Sequence, residues 1–520
     1  MRPLLLIPAL LLAQDSTIRV STRLVQVNVV VRDSRGPISG LTKKDFKIFD
    51  KGKEQNIALF NVSTFSPKPP DSIVKTPPGV FTNRLRARDE SPSNATVLLI
   101  DALNTEAPDQ QFAREQISKF LDSLDLKRRV AIYILGGRNL RVLQDFTDDP
   151  ALLKKAVAAF RGESSAILEG TRVGSCGGHL CEGLAESRDA ANVDRIELTL
   201  SALSQIANHL AQVPGRKSLL WISSSFPSFL LHVNSGQWDV NRENRTFLEE
   251  VNRTTHALSA ADVAIYPIDD RGILGRPDVD IRRAKGRPGS DFSSRNGRLP
   301  GSMPVDIPEG LDSMRDLADG TGGVAFVNGN DIQAAIGKAM SDADVSYTLG
   351  FYADTSAADG FHELKVKVDR PGLDVRHRKG YFSTPIKAPT ETDVAATLHA
   401  IAASSLDATA IGLIAAMDSS RLALRINFED LSLEAQNGKW TGAVDIGYVS
   451  ESADGRVLAS ATKRVTFDLT DEAYVAKRRE GLLLEQIIEP KNGVSRVRIA
   501  VLDEHSTATG SLSVKYLSAP

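Results

Sequence analysis

At 520 residues the chain exceeds one ordinary domain, and about two to four are expected. With 42% hydrophobic and 25% charged residues it has the make-up of a globular chain, not a disordered or fibrous one. A formal net charge of −2 excludes the broad basic surface that nucleic acid or an anionic membrane would call for.

Met1-Arg2, the apolar run Leu4–Leu12 and Ala13 before Gln14 read as a secretory signal peptide over residues 1–13. It is too short to cross a bilayer, and no later run is long and apolar enough to form a span. The expected location is therefore secreted or periplasmic. Residues 17–66 follow as a β block. Leu24–Val31 alternates and then runs apolar, and turns at Asp33–Gly36 and Asp50–Gly52 separate it from strands near Phe46–Phe49 and Ile57–Val62. Residues 67–92, with Pro67, Pro69, Pro70, Pro77, Pro78 and Pro92, read as an extended connector without secondary structure.

From residue 93 to 344 strands alternate with helices. Strands are expected at Ala95–Ile100, Val130–Leu135, Arg141–Phe146, Ser218–Ile222, Val263–Ile268 and Val324–Val327. Between them apolar residues recur at helical spacing, as in Ile117, Phe120, Leu121 and Leu124, or Leu200, Leu203, Ala207 and Leu210. This pattern implies an α/β fold with a doubly wound, mostly parallel, six-stranded sheet. Ala95–Ile100 is apolar throughout, as in a strand buried on both faces. Asp101 then stands at its carboxyl end, where open α/β sheets bind ligands. The bland alternative is that Asp101 caps the following turn and helix.

Two long loops interrupt the domain. Residues 162–186 hold the only cysteines, Cys176 and Cys181. In an exported chain a disulfide between them is the expectation; a zinc site would use His179 but lacks a second ligand pair. Residues 271–308 are rich in Gly, Pro and Arg. They suit either an acidic partner or a solvated loop.

Residues 345–383 return to β, with strands at Ser346–Tyr352 and Phe361–Val368 and a close at Gly380–Phe382. This block has too few strands to stand alone, and so has 17–66. The two are expected to pair into one β-sandwich in which the α/β domain is inserted. Residues 384–391 read as a linker. Residues 392–520 read as a C-terminal β-sandwich with one short helix near Leu398 and strands including Arg421–Phe428, Trp440–Val449, Arg456–Phe467, Val494–Leu502 and Gly510–Tyr516.

Six stretches carry a family resemblance: Leu41-Thr-Lys-Lys-Asp-Phe46, Ile100-Asp-Ala-Leu-Asn-Thr105, Tyr266-Pro-Ile-Asp-Asp-Arg-Gly272, Gly320-Thr-Gly-Gly323, Tyr347-Thr-Leu-Gly-Phe-Tyr352 and Arg376-His-Arg-Lys-Gly-Tyr381. With them the chain resembles a von Willebrand factor A domain, and more closely the VWFA-related proteins common in acidobacterial proteomes. The resemblance spans most of residues 20 to 383. It implies strand order 3-2-1-4-5-6 and a ligand site on the top face, where many A domains hold a divalent cation that a partner's carboxylate completes.

Several positions depart from the family's metal pattern. Asp101 matches the first aspartate, and Thr105 can replace the second serine. Leu103 stands where the first serine belongs, with Asn104 beside it. Ser164, Ser165 and Thr171 are candidates for the loop threonine. The fourth strand ends in Ser223-Ser224-Ser225, so the second carboxylate is missing. Asp269 and Asp270 follow the fifth strand, roughly 10 Å from Asp101 at about 4.8 Å per strand, too far to share a first shell. The candidate ligands of Mg²⁺ or Mn²⁺ are thus Asp101, Asn104, Thr105 and Ser224. Ser165, Thr171, Ser223, Asp269 and Asp270 are candidates for partner contact.

No Gly-x-Ser-x-Gly turn, Walker loop or His-Glu-x-x-His helix is present, and no histidine is placed to activate Ser223–Ser225. The expectation is a non-catalytic, adhesion-like module that binds a protein in the cell envelope or outside it. The alternatives are a structural envelope scaffold without metal and a hydrolase without recognisable motifs.

Overall fold

Five strands form the sheet that positions the site: β1 (Ala95–Asp101), β2 (Arg129–Gly136), β3 (Asn139–Thr147), β4 (Lys217–Ser223) and β5 (Val263–Asp269). In this computed structural model the order is β5-β4-β1-β2-β3. β1 pairs in parallel with β4 and β2, β4 pairs in parallel with β5, and β3 runs antiparallel to β2. The structure describes residues 23–64, 77, 79–84, 95–123, 129–137, 139–170, 180–224, 226, 247–271, 311–327, 329, 331–353, 360–383, 390–418, 420–436, 438–488 and 492–516. The signal peptide, Thr171, Cys176, the side chain of Cys181, Ser225 and the basic loop beyond Arg271 lie outside these residues.

The expected sixth strand is a single bridge, in which Phe326 meets Ile268 in parallel. The reason lies in the donors of β5. The Asp269 N–H reaches the Phe326 carbonyl, but Pro267 has no N–H and the Ile265 N–H is taken by the Thr321 hydroxyl. A ladder deprived of two successive donors on one side does not propagate.

Seven helices of this domain are described, five between these strands and two after β5: α1 (Ala107–Ser123), α2 (Pro150–Ala159), α3 (Ala166–Gly170), α4 (Leu180–Leu210), α5 (Leu248–Ala260), α6 (Leu311–Thr321) and α7 (Ile332–Ser341). Side chains alternate along β1. Leu98 and Ile100 join α1, α2 and α7 in one apolar cluster, while Val97 and Leu99 join α4, α5 and α6 in another. All seven residues of β1 are buried, as befits a central parallel strand.

Outside this domain, Arg23–Asp33 pairs antiparallel with Val345–Ala353, which pairs with Leu59–Thr64. Phe46–Asp50 pairs with Gly360–Val368. Strands from before and after the α/β domain therefore share both sheets, and Val27, Ile48, Leu349, Phe351 and Val366 belong to one core. Asp342, just past α7, ties this unit to the α/β domain. Its fully buried carboxylate accepts from Arg32, from Arg376 at 2.9 Å and from the Tyr266 hydroxyl at 3.1 Å.

Toward the C-terminus, Leu413–Asp418, Arg421–Ile426 and Leu482–Ile487 form a sheet whose core is shared with Lys439–Ser452, Val494–Asp503 and Thr509–Lys515. The connector was expected to lack structure, but Val80–Thr82 adds a strand to this sheet, pairing with residues 414–416. Val-Phe-Thr suits a strand, and Asn83 anchors it. The Asn83 amide donates to the Ala408 and Ile411 carbonyls at 2.6 and 2.8 Å and accepts from the Leu413 N–H at 2.7 Å. The helix near Leu398 spans Glu391–Ala403, and a second, unexpected helix spans Asp471–Glu480.

Candidate functional site

β1 delivers Asp101 to the carboxyl edge of the sheet, fully buried. The Ala102 and Leu103 N–H groups both donate to the Leu135 carbonyl, at 2.8 and 2.9 Å, and this turns the chain toward α1. One Asp101 oxygen accepts from the Asn104 N–H at 3.0 Å. The other accepts from the Asn104 amide at 2.8 Å, the Trp221 indole N–H at 2.9 Å and the Ser223 hydroxyl at 2.9 Å. Trp221 and Ser223 lie two apart on β4 and so share a face of the strand. Burial pushes the Asp101 carboxyl above the usual range, and these donors pull it back.

Asn104 is held as firmly. Its amide also donates to the Thr199 hydroxyl at 2.9 Å, and its side-chain oxygen accepts from Arg195 at 2.8 Å. A cation ligand must turn a lone pair toward the ion. Asp101 turns its oxygens toward N–H and O–H donors, one of them an indole that cannot ligate, and Asn104 turns its oxygen toward a guanidinium. This donor set does not fit the cation that the resemblance implies at Asp101. It fits the role of an acceptor that ties β1, β4 and the first turn together.

One residue further on the chemistry changes. The Thr105 hydroxyl accepts from the Ser224 N–H at 3.0 Å, which fixes the backbone of Ser224. The Ser224 hydroxyl lies 3.1 Å from an Asp109 oxygen, in the first turn of α1, and 2.7 Å from an Asp270 oxygen, just past β5. Asp270 is 1% exposed, and among the described residues its other oxygen is buried without a hydrogen-bond partner. Burial pushes its carboxyl up to about 7. The Ser224 hydrogen bond opposes that shift, and the charges of Asp109, Asp269 and Asp101 add to it.

The structure thus gathers Asp101, Asn104 and Ser223 in one cluster and Thr105, Ser224 and Asp270 in a second beside it. Asp269 stands apart in a fork with Arg271, at 2.9 and 3.1 Å. Ser165 caps α3 by accepting from the Leu168 N–H at 3.1 Å. Strand spacing alone separates Asp270 from Asp101, yet β4 lies between them and its Ser224 hydroxyl is what Asp270 reaches. Sequence reasoning passed over Trp221, Asp109, Gln110, Arg195 and Thr199. Trp221 carried a signal, as an N–H donor side chain in the middle of the apolar run Leu219–Ile222. Gln110 carried none; it ties Thr105 to residue 163, donating to their carbonyls at 2.7 and 2.9 Å.

The five strands follow the order 3-2-1-4-5 in chain numbering, that of a doubly wound α/β domain with its crevice beside β1. No family model and no curated protein matches the chain. Matching solved structures include the vWF domain of the type V pili tip protein Mfa5 from Porphyromonas gingivalis. That match has 16% identity, 26% of this chain and 38% of that chain covered, and a TM-score of 0.17. A von Willebrand factor type A protein from Catenulispora acidiphila matches with 11% identity, 89% and 75% coverage and a TM-score of 0.26. The SpRpn10 VWA domain matches with 14% identity, 34% and 74% coverage and a TM-score of 0.17.

Proposed function

We propose that the chain is an exported, non-catalytic binding module that engages a partner protein in the cell envelope or outside it. The contact surface is the crevice at the carboxyl ends of β1, β4 and β5. The observation that carries this reading is a buried carboxylate, Asp270, that has one oxygen without a donor among the described residues, at the carboxyl edge where an open α/β sheet presents its ligands. A fold that buries an unsatisfied acceptor there sacrifices stability at a place suited to recognition. Hydrolysis is not favoured, because the Ser223 hydroxyl donates to the Asp101 carboxylate and the Ser224 hydroxyl lies between the Asp109 and Asp270 carboxylates.

The second reading is a structural scaffold. It is favoured by the Asp342 joint, which fixes the α/β domain to the flanking β unit through Arg32 and Arg376. A pull-down from envelope extract separates the two. Ala107→Arg places a bulky charge on the exposed first residue of α1 at the crevice rim, while Leu483→Arg alters an exposed position on the C-terminal sheet. A partner captured by wild type and Leu483→Arg but lost with Ala107→Arg supports the binding reading. Capture that is indifferent to Ala107→Arg, or no capture at all, favours the scaffold.

A further inference from the structure

Leu482–Ile487 is the last strand of its sheet. It pairs antiparallel with Arg421–Ile426, and among the described residues its other edge pairs with nothing. One bond shows which backbone groups face that open edge. The Ile488 N–H reaches the Ser420 carbonyl at 2.8 Å, continuing the register in which Ile487 lies opposite Arg421. Successive residues of an antiparallel strand turn their N–H and C=O groups to opposite sides. Leu482, Leu484 and Gln486 therefore bond inward, and Leu483, Glu485 and Ile487 present theirs to the edge. The same three residues carry the exposed side chains. Leu483 and Ile487 are 65% and 69% exposed, the highest of the large apolar residues described. Apart from Glu485, the strand has no charge, proline or bulge to blunt its edge.

We propose that a second copy of this chain docks here, the two edges pairing antiparallel about a two-fold axis at Glu485. The sequence around Glu485 reads almost alike in both directions, with Leu483 and Ile487 two residues away and Leu482 and Ile488 three. Turned about Glu485, each Leu483 falls opposite Ile487 of the other copy, and each outward N–H meets an outward C=O. The Ile487 carbonyl already accepts from the Gln486 amide at 3.1 Å, and its second lone pair serves the new strand. Glu485 faces itself across the axis, and arginines meet its charge. Arg421 lies 3.9 Å from it, and Arg425, on the same exposed face, has no ion pair among the described residues. Two carboxylates thus meet among the guanidiniums of both copies. Contact through one strand per copy buries little surface, so the dimer is expected to dissociate on dilution. The proposal does not rest on the binding reading, whose surface lies on the α/β domain.

Sedimentation of the full chain between about 1 µM and 1 mM should show monomer passing into dimer. Glu485→Pro should abolish the dimer and keep the fold, because the N–H it removes faces away from the sheet, where an edge tolerates proline. Leu483→Arg leaves the backbone as it is and should raise the dissociation constant about tenfold or more. Register is read by oxidising cysteine variants, with wild type, whose only cysteines are Cys176 and Cys181, as the blank. Glu485→Cys should cross-link to itself, since residues facing each other in such a pair lie about 5.5 Å apart at Cα, within disulfide reach. Leu483→Cys and Ile487→Cys should cross-link when mixed and not alone. A wild type that stays monomeric up to about 1 mM overturns the proposal and leaves the edge to a foreign strand. A dimer that survives both Glu485→Pro and Leu483→Arg, or that cross-links through Leu483→Cys alone and not through Glu485→Cys, overturns it too. Loss of partner capture with the dimer intact would count against the proposed function alone.

Discussion

The Trp221 indole N–H donates to the Asp101 carboxylate at 2.9 Å and so links β4 to β1 at the edge where the sheet opens. Trp221→Phe keeps most of the ring but leaves a buried carboxylate one donor short. The expected cost is about 1–3 kcal/mol, read as a lower urea midpoint with an unchanged slope. An unchanged midpoint would mean that Asp101 is not held by this bond.

Asp270 sets a pH dependence of definite sign. Its folded carboxyl titrates near 7, above the usual 3.8, so the metal-free folded state holds a proton that the unfolded state has released. Stability therefore falls as pH rises between those two values, by on the order of 2–4 kcal/mol from this group. Asp270→Asn should abolish this slope, with the variant matching wild type near pH 4 and exceeding it at pH 8. Parallel stability curves for the two proteins would contradict the assignment.

Asp342 is fully buried between two arginines and a tyrosine. Asp342→Ala should cost about 3 kcal/mol, and its signature is loss of cooperativity as well as of stability. Calorimetry should show the α/β domain and the flanking β unit unfolding as two resolved transitions. One sharp transition at a lower temperature would place the coupling elsewhere.

Gly323 has no room for a side chain, because a Cβ there would collide with the Ile265 carbonyl. Gly329, a few residues on, has nothing within 4 Å of the same position. Gly323→Ala is expected to destabilise by about 1–3 kcal/mol or more, and Gly329→Ala hardly at all. Equal effects in a denaturation series would refute the close packing of this turn on β5.

The central strands were legible because parallel burial writes itself as unbroken apolar runs, and Asp101 ended the clearest of them. The Asp471–Glu480 helix was missed because none of its residues is buried, so it has no apolar period to read. Its signals were at the ends: the Thr470 hydroxyl accepting from the Ala473 N–H, acids at the start, bases at the finish and Gly481 at φ 79°. The sixth strand was over-read because periodicity does not count donors, and β5 lacks one at Pro267. In the site, position was readable but partnership was not. Nothing in the spacing of Asp109, Ser224 and Asp270 says that three separate turns converge.

The strand Arg23–Asp33 lies between Val345–Ala353 and Asp374–Arg376. Apart from the two-residue pairing with Gly36–Pro37 at its end, its hydrogen-bonding neighbours are thus made long after it leaves the ribosome. Until then Val25, Val27, Val29, Val30 and Val31 form an apolar ribbon with both edges open, the kind of segment that pairs with other chains. The whole α/β domain must be synthesised before that ribbon is covered, so its closure is a late, non-local event. A chain that stops short of residue 345 loses more than length: it leaves a sticky strand exposed for as long as it survives.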